Sequence, residues 1–438
     1  MELLTQAPRG TVDITPKESY KWQFVEEKLR ELAVIYGFQE LRTPTFEHTE
    51  LFQRSVGDTT DVVQKEMYTF EDKGARSITL KPEGTAGAVR AILENGLHND
   101  AFPLKIFYIT NCFRYEKPQA GRLREFHQFG AEMFGTAEPS ADAEMISFLN
   151  ALFSQFGIDD LRVEINSIGC PECRKEYHKA LMDYFAQRET ELCETCQGRL
   201  SRNPMRILDC KSEVCSKIAA DAPVGLDYLC EPCKTHFEAV KTRLDALDII
   251  YNINPKIVRG LDYYTRTVFE FVSDNIGAQG TVCGGGRYDG LVKELGGPDL
   301  PALGFALGME RLLMIIKNAG IELPKPQSCD LYIANMGEMA ALKAAQMAAI
   351  LRNEGFFAEY DLAGRSLKAQ MKYADKIGAK YSMVLGDNEL SGGKANLKNM
   401  ANGSQTEIVI EDILEEMYQA SNLSAYEELT SSLERFGE

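Results

Sequence analysis

The sequence predicts two folding units: an α+β body interrupted by a cysteine-rich helical insertion, and a smaller α/β unit after it. Three observations carry this reading. Residues 104–134 alternate with period two and turn back on themselves at "KPQAGRL", as the two arms of a hairpin do. Eight of the eleven cysteines fall between 170 and 233, in a helix-rich stretch without the apolar strands found on either side. Beyond the proline-rich "IELPKPQS", short apolar strands alternate with helical patterns, which argues for a largely parallel sheet. The expected boundaries are 1–169 and 236–320 for the body, 170–235 for the insertion, 321–327 for a linker, 328–422 for the α/β unit and 423–438 for an acidic tail.

Taken in order, "TPKE" at 15–18 reads as a helix start, with Thr15 as N-cap, Pro16 first in the helix and Glu18 completing a capping box. Trp22, Val25, Leu29, Leu32 and Ile35 then recur at helical spacing, and Gly37 stops the run. "FQELRTPTFEH" is extended, and Pro44 makes it an edge or interface strand. In the hairpin, Cys112, Arg114 and Glu116 share one face of the first arm, and Arg124, Phe126, Gln128, Gly130 and Glu132 share one face of the second. Such a mix of charge, amide and ring reads as the floor of a polar site rather than as plain core. Residues 136–158 read as a helix and "LRVEINSIG" as a strand. After the insertion, "KIVRGLDYYTRTVFEFV" and "GTVCGGGRYDGLV" read as strands, and "ALGFALGMERLLMIIKNAG" as a strand running into a helix. In the last unit, "DLYIANMG", "FFAEYDL", "YSMVLGD" and "TEIVI" read as strands separated by helices, one of them basic.

Bulk composition narrows the class. The chain has 438 residues, 44% hydrophobic and 26% charged, which is ordinary for a soluble globular enzyme. Its start, "MELLTQAPRGTVDITP", lacks a basic segment followed by an apolar run, and no window reaches eighteen apolar residues, so a cytoplasmic protein without membrane spans is expected. A net charge of −17 argues against coating nucleic acid by bulk attraction while leaving room for a local basic patch. An odd number of cysteines without an export signal points to thiols or metal ligands rather than disulfides.

Several segments place polar groups where packing alone would not. In "IVRGLDYYTRTVFEF", burying Arg259, Asp262, Tyr263 and Tyr264 together needs a partner for each polar tip, either within the protein, the commoner case, or in a ligand. "CGGGRYDG" fits neither the dinucleotide fingerprint nor the P-loop, so it reads equally as a turn or as a close approach to a ligand. Glu83, Gly84 and Thr85 precede a helical pattern and read equally as a helix cap. Arg311 falls in the first turns of a helix, where a cation opposes the dipole, so an anion is the better account of it.

Together these segments are more specific than any one of them. "GFQELRTPTFE", "FRYEKPQAGRLREFHQFGAEMFG" and "GFALGMERL" resemble the first, second and third motifs of class II aminoacyl-tRNA synthetases. "VRGLDYYTRTVFE" and "GGGRYDGL" resemble the two segments that mark the histidyl-tRNA synthetase family. The resemblance covers the body and the terminal α/β unit. It implies an antiparallel sheet flanked by helices, a homodimer built through the Pro44 region, and an anticodon-binding role for the terminal unit. The implied activity is adenylation of histidine by ATP with Mg2+, followed by transfer to the terminal adenosine of tRNA(His).

The same resemblance implies roles for particular residues. Arg259 would contact the histidine carboxylate and, with Arg114, the α-phosphate; these two are the expected catalytic residues. Tyr264 and Glu132 would hydrogen-bond the imidazole, Tyr263 would line the pocket, and Glu83, Thr85 and Gln128 would hold the α-amino group. Phe126 would stack on adenine, with Glu116, Arg122 and Arg311 on the rest of ATP. Lys117 and Gln119 match the region that meets the acceptor end of tRNA. Adenylation needs no nucleophilic side chain, since positioning and fixed cations suffice.

Two features stand outside the adenylation pocket. Arg365, Lys368, Lys372, Lys376 and Lys380 recur at three- and four-residue steps and so share a helix face. Read alone they are a solvated face; beside a synthetase body they suit tRNA phosphates. Cys170-x2-Cys173-x19-Cys193-x2-Cys196 falls within zinc-site spacing, with Cys210, Cys215, Cys230 and Cys233 as a possible second set. Small buried hydrophobes are the plainer account of cysteine, but four close pairs favour structural zinc. His178 and His236 read as surface or core residues rather than ligands. Two other functions remain open at this level. One is a non-catalytic paralogue regulating histidine biosynthesis, which usually lacks pocket residues and the terminal unit. The other is a zinc-knuckle nucleic-acid-binding protein, against which the hairpin carboxylates and the acidic charge weigh.

Overall fold

The computed structural model describes residues 4–57, 60–210, 212–274 and 280–422. The acidic tail expected at 423–438 lies outside them. The fold parts into two units between Pro324 and Lys325.

Helix α1 (Ser19–Ile35) starts later than expected. The Thr15 carbonyl takes the amides of both Glu18 and Ser19 at 2.8 Å, so residues 15–18 form a turn and Glu18, not Thr15, is the N-cap. Val25, Leu29, Leu32 and Ala33 make the buried face, whereas Ile35 is 75% exposed. Pro44 has no amide to donate to a ladder, and the extended segment around it splits into β1 (Gln39–Glu40) and β2 (Phe46–His48), each at the edge of a different sheet. Helix α2 (Thr49–Val56) follows, then β3 (Tyr68–Glu71) and β4 (Ser77–Leu80), which complete a small sheet of order β2-β4-β3.

Helix α3 (Thr85–Glu94) leads to the hairpin, formed by β5 (Leu104–Phe113) and β6 (Glu125–Phe134) with Cys112 opposite Phe126 and Thr110 opposite Gln128. Helix α4 (Pro139–Gln155) and β7 (Arg162–Ser167) precede the insertion, whose helices are α5 (Pro171–Ala186), α6 (Glu194–Leu200) and α7 (Glu213–Ala220). Helix α8 (Glu231–Ala246) carries the chain back to the body through β8 (Tyr251–Ile253) and β9 (Thr265–Val272). Then come β10 (Thr281–Arg287), α9 (Leu291–Glu294), β11 (Ala302–Gly308) and α10 (Met309–Asn318).

The large sheet has the order β1-β5-β6-β11-β10-β9-β7-β8. Its pairs are antiparallel except at the two edges, where β1 with β5 and β7 with β8 run parallel. Phe129, Phe148, Phe153, Phe269 and Phe305 are among the buried residues of the core shared by the sheet and its helices.

The strand expected from residue 256 begins only at Thr265. Instead of pairing with a neighbouring strand, the carbonyls of Gly260, Asp262 and Tyr264 accept from Arg206 and Arg174 of the insertion. Residues 257–264 are therefore a loop held by side chains, and a residue in the left-handed region, Arg266 (φ 49°), marks the entry to β9.

The second unit comprises β12 (Leu331–Asn335), α11 (Glu338–Asn353), β13 (Ala358–Tyr360), α12 (Leu367–Lys376), β14 (Tyr381–Leu385), α13 (Asp387–Gly392), β15 (Lys394–Asn399) and β16 (Gln405–Val409). Its sheet runs β13-β12-β14-β15-β16, parallel over the first three strands and antiparallel over the rest. β15 has no counterpart in the sequence reading because, in "KANLKN", only Ala395 and Leu397 point inward. Helix α12 starts after the N-cap Ser366, so Arg365 precedes it and Lys380 follows it; the basic strip is shorter than one continuous face. Among the described residues, no helix is long and apolar enough to cross a membrane.

Candidate active site

The loop end of the β5–β6 hairpin, β10, β11, the start of α10 and the 257–264 loop enclose a cavity of about 310 Å³. Its wall includes Glu83, Thr85, Arg114, Glu116, Arg122, Phe126, Gln128, Arg259, Tyr263, Tyr264 and Arg311. These are all the pocket residues expected from the sequence except Glu132. That residue sits on the same hairpin but is wholly buried, with its carboxylate 2.8 Å from the hydroxyl of the wall residue Thr85.

One side of the cavity is cationic, and its cations are fixed. Arg114 donates through Nε to the Pro82 carbonyl at 2.8 Å, and its guanidinium lies 5.5 Å from the Phe126 ring centre. Arg122 pairs with Glu116 at 2.8 Å. Arg311, third residue of α10, donates to the Gly121 carbonyl at 3.2 Å and to the carbonyl of Thr281. Burial and the nearby Arg122 charge pull the Arg311 pKa down, which favours a site that receives an anion.

Arg259 pairs with Glu270 on β9, whose other oxygen accepts from Thr281 Oγ1 at 2.8 Å. Burial is the largest single influence on the Arg259 charge and opposes it, but Glu270, Tyr264 and Cys283 together overcome it and raise the pKa. Gly284 is needed here: a Cβ at this position would lie 2.4 Å from both terminal guanidinium nitrogens. The Arg259 Nε is buried without a hydrogen-bond partner among the described residues, a donor available to a ligand oxygen.

The other side is a buried acceptor cluster. Glu83 accepts the backbone amides of Thr85 at 2.7 Å and Ala86 at 2.8 Å, so the helix-cap reading of this segment holds while the residue also lines the cavity. Glu132 accepts three hydroxyls, from Thr85 at 2.8 Å, Tyr108 at 2.9 Å and Tyr288 at 2.5 Å. Burial nevertheless pushes its pKa up to about 8, the three hydroxyls only partly offsetting the cost of the charge. Tyr263 and Tyr264 sit against each other, ring centres 4.7 Å apart, and Gln128 accepts from the Cys112 thiol at 3.3 Å.

Sequence reasoning missed Glu270, Tyr108 and Tyr288. The lone carboxylate inside the apolar "VFEFV" was a usable signal for Glu270. Tyr108 and Tyr288 gave no such signal, since aromatic residues in strands are ordinary core. Arg287 of "CGGGRYDG" is structural: it is fully buried and paired with Asp142 at 2.7 Å.

Of the residues expected to meet tRNA, Lys117 and Gln119 are exposed on the hairpin loop, where Gln119 bridges to Arg122 through the backbone. In the second unit Lys368, Lys372 and Lys376 are exposed along α12, while Arg365 is held by Asp361 at 2.9 Å and lies 4.4 Å from the Tyr373 ring centre.

The cysteines group differently from the linear reading. Cys170 and Cys173 meet Cys230 and Cys233, and Cys193 and Cys196 meet Cys210 and Cys215. Linear spacing had put Cys170, Cys173, Cys193 and Cys196 in one set. The return of the chain through α8 brings Cys230 and Cys233 beside the start of α5 instead. Neither His178 nor His236 joins a cluster; His236 lies 3.2 Å from Asp142 in the core.

Comparison with known proteins follows this geometry. Residues 10–312 match the family described as Histidyl-tRNA synthetase, and residues 330–419 that described as Anticodon binding domain. The chain is 58% identical over 412 residues to the Histidine--tRNA ligase of Acetivibrio thermocellus, covering 94% of this chain and 99% of the relative. It is 56% identical over 408 residues to that of Clostridium novyi, covering 93% and 97%. Among solved structures, apo S. aureus histidyl-tRNA synthetase superposes with a TM-score of 0.81 at 42% identity, over 94% of this chain and 100% of that one.

Proposed function

The chain belongs to the histidyl-tRNA synthetase family and attaches histidine to its cognate tRNA at the expense of ATP, and from that premise we propose how the cavity divides the work. High identity to ligases over nearly the whole chain sets aside the regulatory alternative. The observation that carries the assignment of roles is Arg259, anchored on Glu270 and Tyr264 with a buried Nε that has no hydrogen-bond partner among the described residues.

In the first step a carboxylate oxygen of histidine attacks the α-phosphorus, and the bond to the bridging oxygen breaks as diphosphate leaves. Arg259 and Arg114 face the charge that grows on the α-phosphate, and because both are already fixed they stabilise it without reorganising. Phe126 carries the adenine, and Glu116, Arg122 and Arg311 hold the remainder of ATP. Glu116 and Glu310 on the wall are oxygen donors of the kind Mg2+ takes. Both are already engaged, by Arg122 and His127, so the ion is expected to be held chiefly by phosphate oxygens.

Glu83, Thr85 and Gln128 receive the α-amino group. Tyr264 and Glu132 read the two imidazole nitrogens. A carboxylate offers about four acceptor positions, and Glu132 has three hydroxyls on it, leaving one for an imidazole N–H. An amino acid without that N–H leaves buried acceptors unpaired, which gives strong rejection. In the second step a hydroxyl of the terminal adenosine of tRNA attacks the acyl carbon and AMP leaves. Lys117 and Gln119 meet the acceptor end, and Arg365, Lys368, Lys372 and Lys376 meet phosphates of the anticodon arm.

We place this chemistry in the cytoplasm and in a homodimer. Phe46 (55% exposed) and Phe70 (48% exposed), on the small sheet that follows Pro44, support an apolar contact there. Light scattering would give twice the 49.0 kDa chain mass. The test of the roles is amino-acid-dependent ATP–pyrophosphate exchange with each standard amino acid. Exchange with histidine alone is expected; exchange with another amino acid, or with none, overturns the reading.

A further inference from the structure

Each cysteine cluster gathers four sulfurs into one compact group. Three of the four pairs share one local design, in which the first cysteine is the N-cap of a helix and the second lies in its first turn: Cys170 and Cys173 on α5, Cys193 and Cys196 on α6, Cys230 and Cys233 on α8. A helix start favours thiolate over thiol. In each cluster all four sulfurs lie within 4.8 Å of one another. The individual separations are 3.6 Å for Cys170 to Cys173, 3.9 Å for Cys170 to Cys230 and 3.8 Å for Cys193 to Cys210. Four thiolates around one ion at a Zn–S distance of about 2.3 Å sit about 3.8 Å apart. Short contacts therefore run across pairs as well as within them, which is the pattern of a shared centre rather than of two disulfides. Backbone amides also point at sulfur, Cys230 N to Cys173 Sγ at 3.1 Å and Cys193 N to Cys215 Sγ at 3.2 Å, the outer shell that a ligating thiolate needs.

We propose that each cluster binds one Zn2+, and that the two ions fix the grip of the insertion on the 257–264 loop. All-thiolate tetrahedral sets select zinc or iron, and a set of four without an open position is structural. The first site clamps the insertion at its base, joining residues 60 positions apart in the chain. The second spans the segment 196–210, which reaches the loop directly. Asn203 donates to Asp262 Oδ1 at 2.9 Å, and Arg206 lies 3.5 Å from the same carboxylate and donates to the Gly260 carbonyl. Arg174, next to Cys173, donates to the Tyr264 carbonyl at 3.1 Å. The metal-held arms thus support the backbone of the residues assigned to histidine. This last step rests on the roles proposed above; the metal content does not.

The test is metal analysis of the full-length chain purified without chelating resins, with thiol titration that releases bound metal to a chromophoric chelator. Two zinc ions per chain are expected. Cys170→Ser and Cys193→Ser each lose one ion and the double variant loses both; under the linear grouping the two residues share a site and the double variant loses only one. Protein grown on cobalt should show the ligand-field and sulfur charge-transfer bands of two tetrahedral thiolate sites, a reading that survives if the serine variants do not fold. Folded protein that carries no metal and takes up neither zinc nor cobalt, or that carries iron, overturns the proposal. Removing the second site by Cys210→Ser should raise the histidine KM roughly tenfold and leave the ATP KM nearly unchanged; an unchanged histidine KM overturns the gripping role. Two zinc ions in a protein without histidine-dependent exchange would leave the metal sites standing and remove the catalytic reading instead.

Discussion

The cations of the pocket and those of α12 are alike in charge and opposite in setting. Arg114, Arg122 and Arg259 are each held by a carbonyl or carboxylate of the protein. Lys368, Lys372 and Lys376 are exposed and have no ion pair among the described residues. A fixed donor loses nothing further when charge develops beside it, so its removal costs the reaction heavily. A free lysine contributes a small, screened increment that adds to its neighbours'. The two sets therefore predict different kinds of response to mutation, and the experiments below test that division.

The largest effect belongs to Arg259. Replacing it by alanine should lower histidine-dependent exchange on the order of 10²–10³-fold. It also leaves the half-buried Glu270 with Thr281 as its one hydrogen-bond partner among the described residues, so thermal stability should fall as well. The double change Arg259→Ala with Glu270→Gln separates the two consequences: melting temperature recovers and exchange does not. Recovery of both would mean that Arg259 is structural and that the division between the two cation sets is wrong.

Glu132 gives an effect of intermediate size, read through pH. Its carboxyl is raised from an ordinary value near 4.5 to about 8, so the folded protein holds a proton there that the unfolded chain lacks between those values. Stability from this group is therefore complete below about pH 4.5 and is lost as pH rises toward 8. Accepting an imidazole N–H needs the ionised form, so kcat/KM for histidine should climb as pH passes through about 8. Glu132→Gln should flatten both curves. Tyr288→Phe, which removes the hydroxyl 2.5 Å from Glu132 Oε2, should move the inflection to higher pH with a smaller loss of rate.

How much of this was legible in the sequence depends on which force sets each feature. The hairpin and the strand into α10 follow from local alternation, and the sequence shows them. The pocket residues were legible because polar groups in apolar strands are costly without partners, and the family resemblance supplied their roles. Where long-range contacts decide, the reading failed. The 257–264 segment has strand-like composition, yet Arg174 and Arg206, far away in the chain, capture its carbonyls. The cysteine sets fail for the same reason, since spacing along the chain cannot show that α8 returns Cys230 to Cys170. Thr15 was lost as N-cap because its carbonyl, not its hydroxyl, takes the amides of Glu18 and Ser19.

The smallest effects belong to α12, and their form matters more than their size. If Lys368, Lys372 and Lys376 each neutralise a tRNA phosphate, each alanine substitution should weaken tRNA binding by only about 0.2–1 kcal/mol. The slope of log affinity against log salt should shrink by about one for each lysine removed. Exchange, which needs no tRNA, should not change. Arg365 serves as the internal contrast: it is already held by Asp361 and Tyr373, so its loss should disturb the start of α12 as well as binding. A salt slope unaffected by the triple lysine variant would make the strip a solvated surface and leave the contact with tRNA phosphates to other residues of that unit. A proportional fall in slope with an unchanged exchange rate would confirm that this protein keeps its fixed cations for chemistry and its free ones for the nucleic acid.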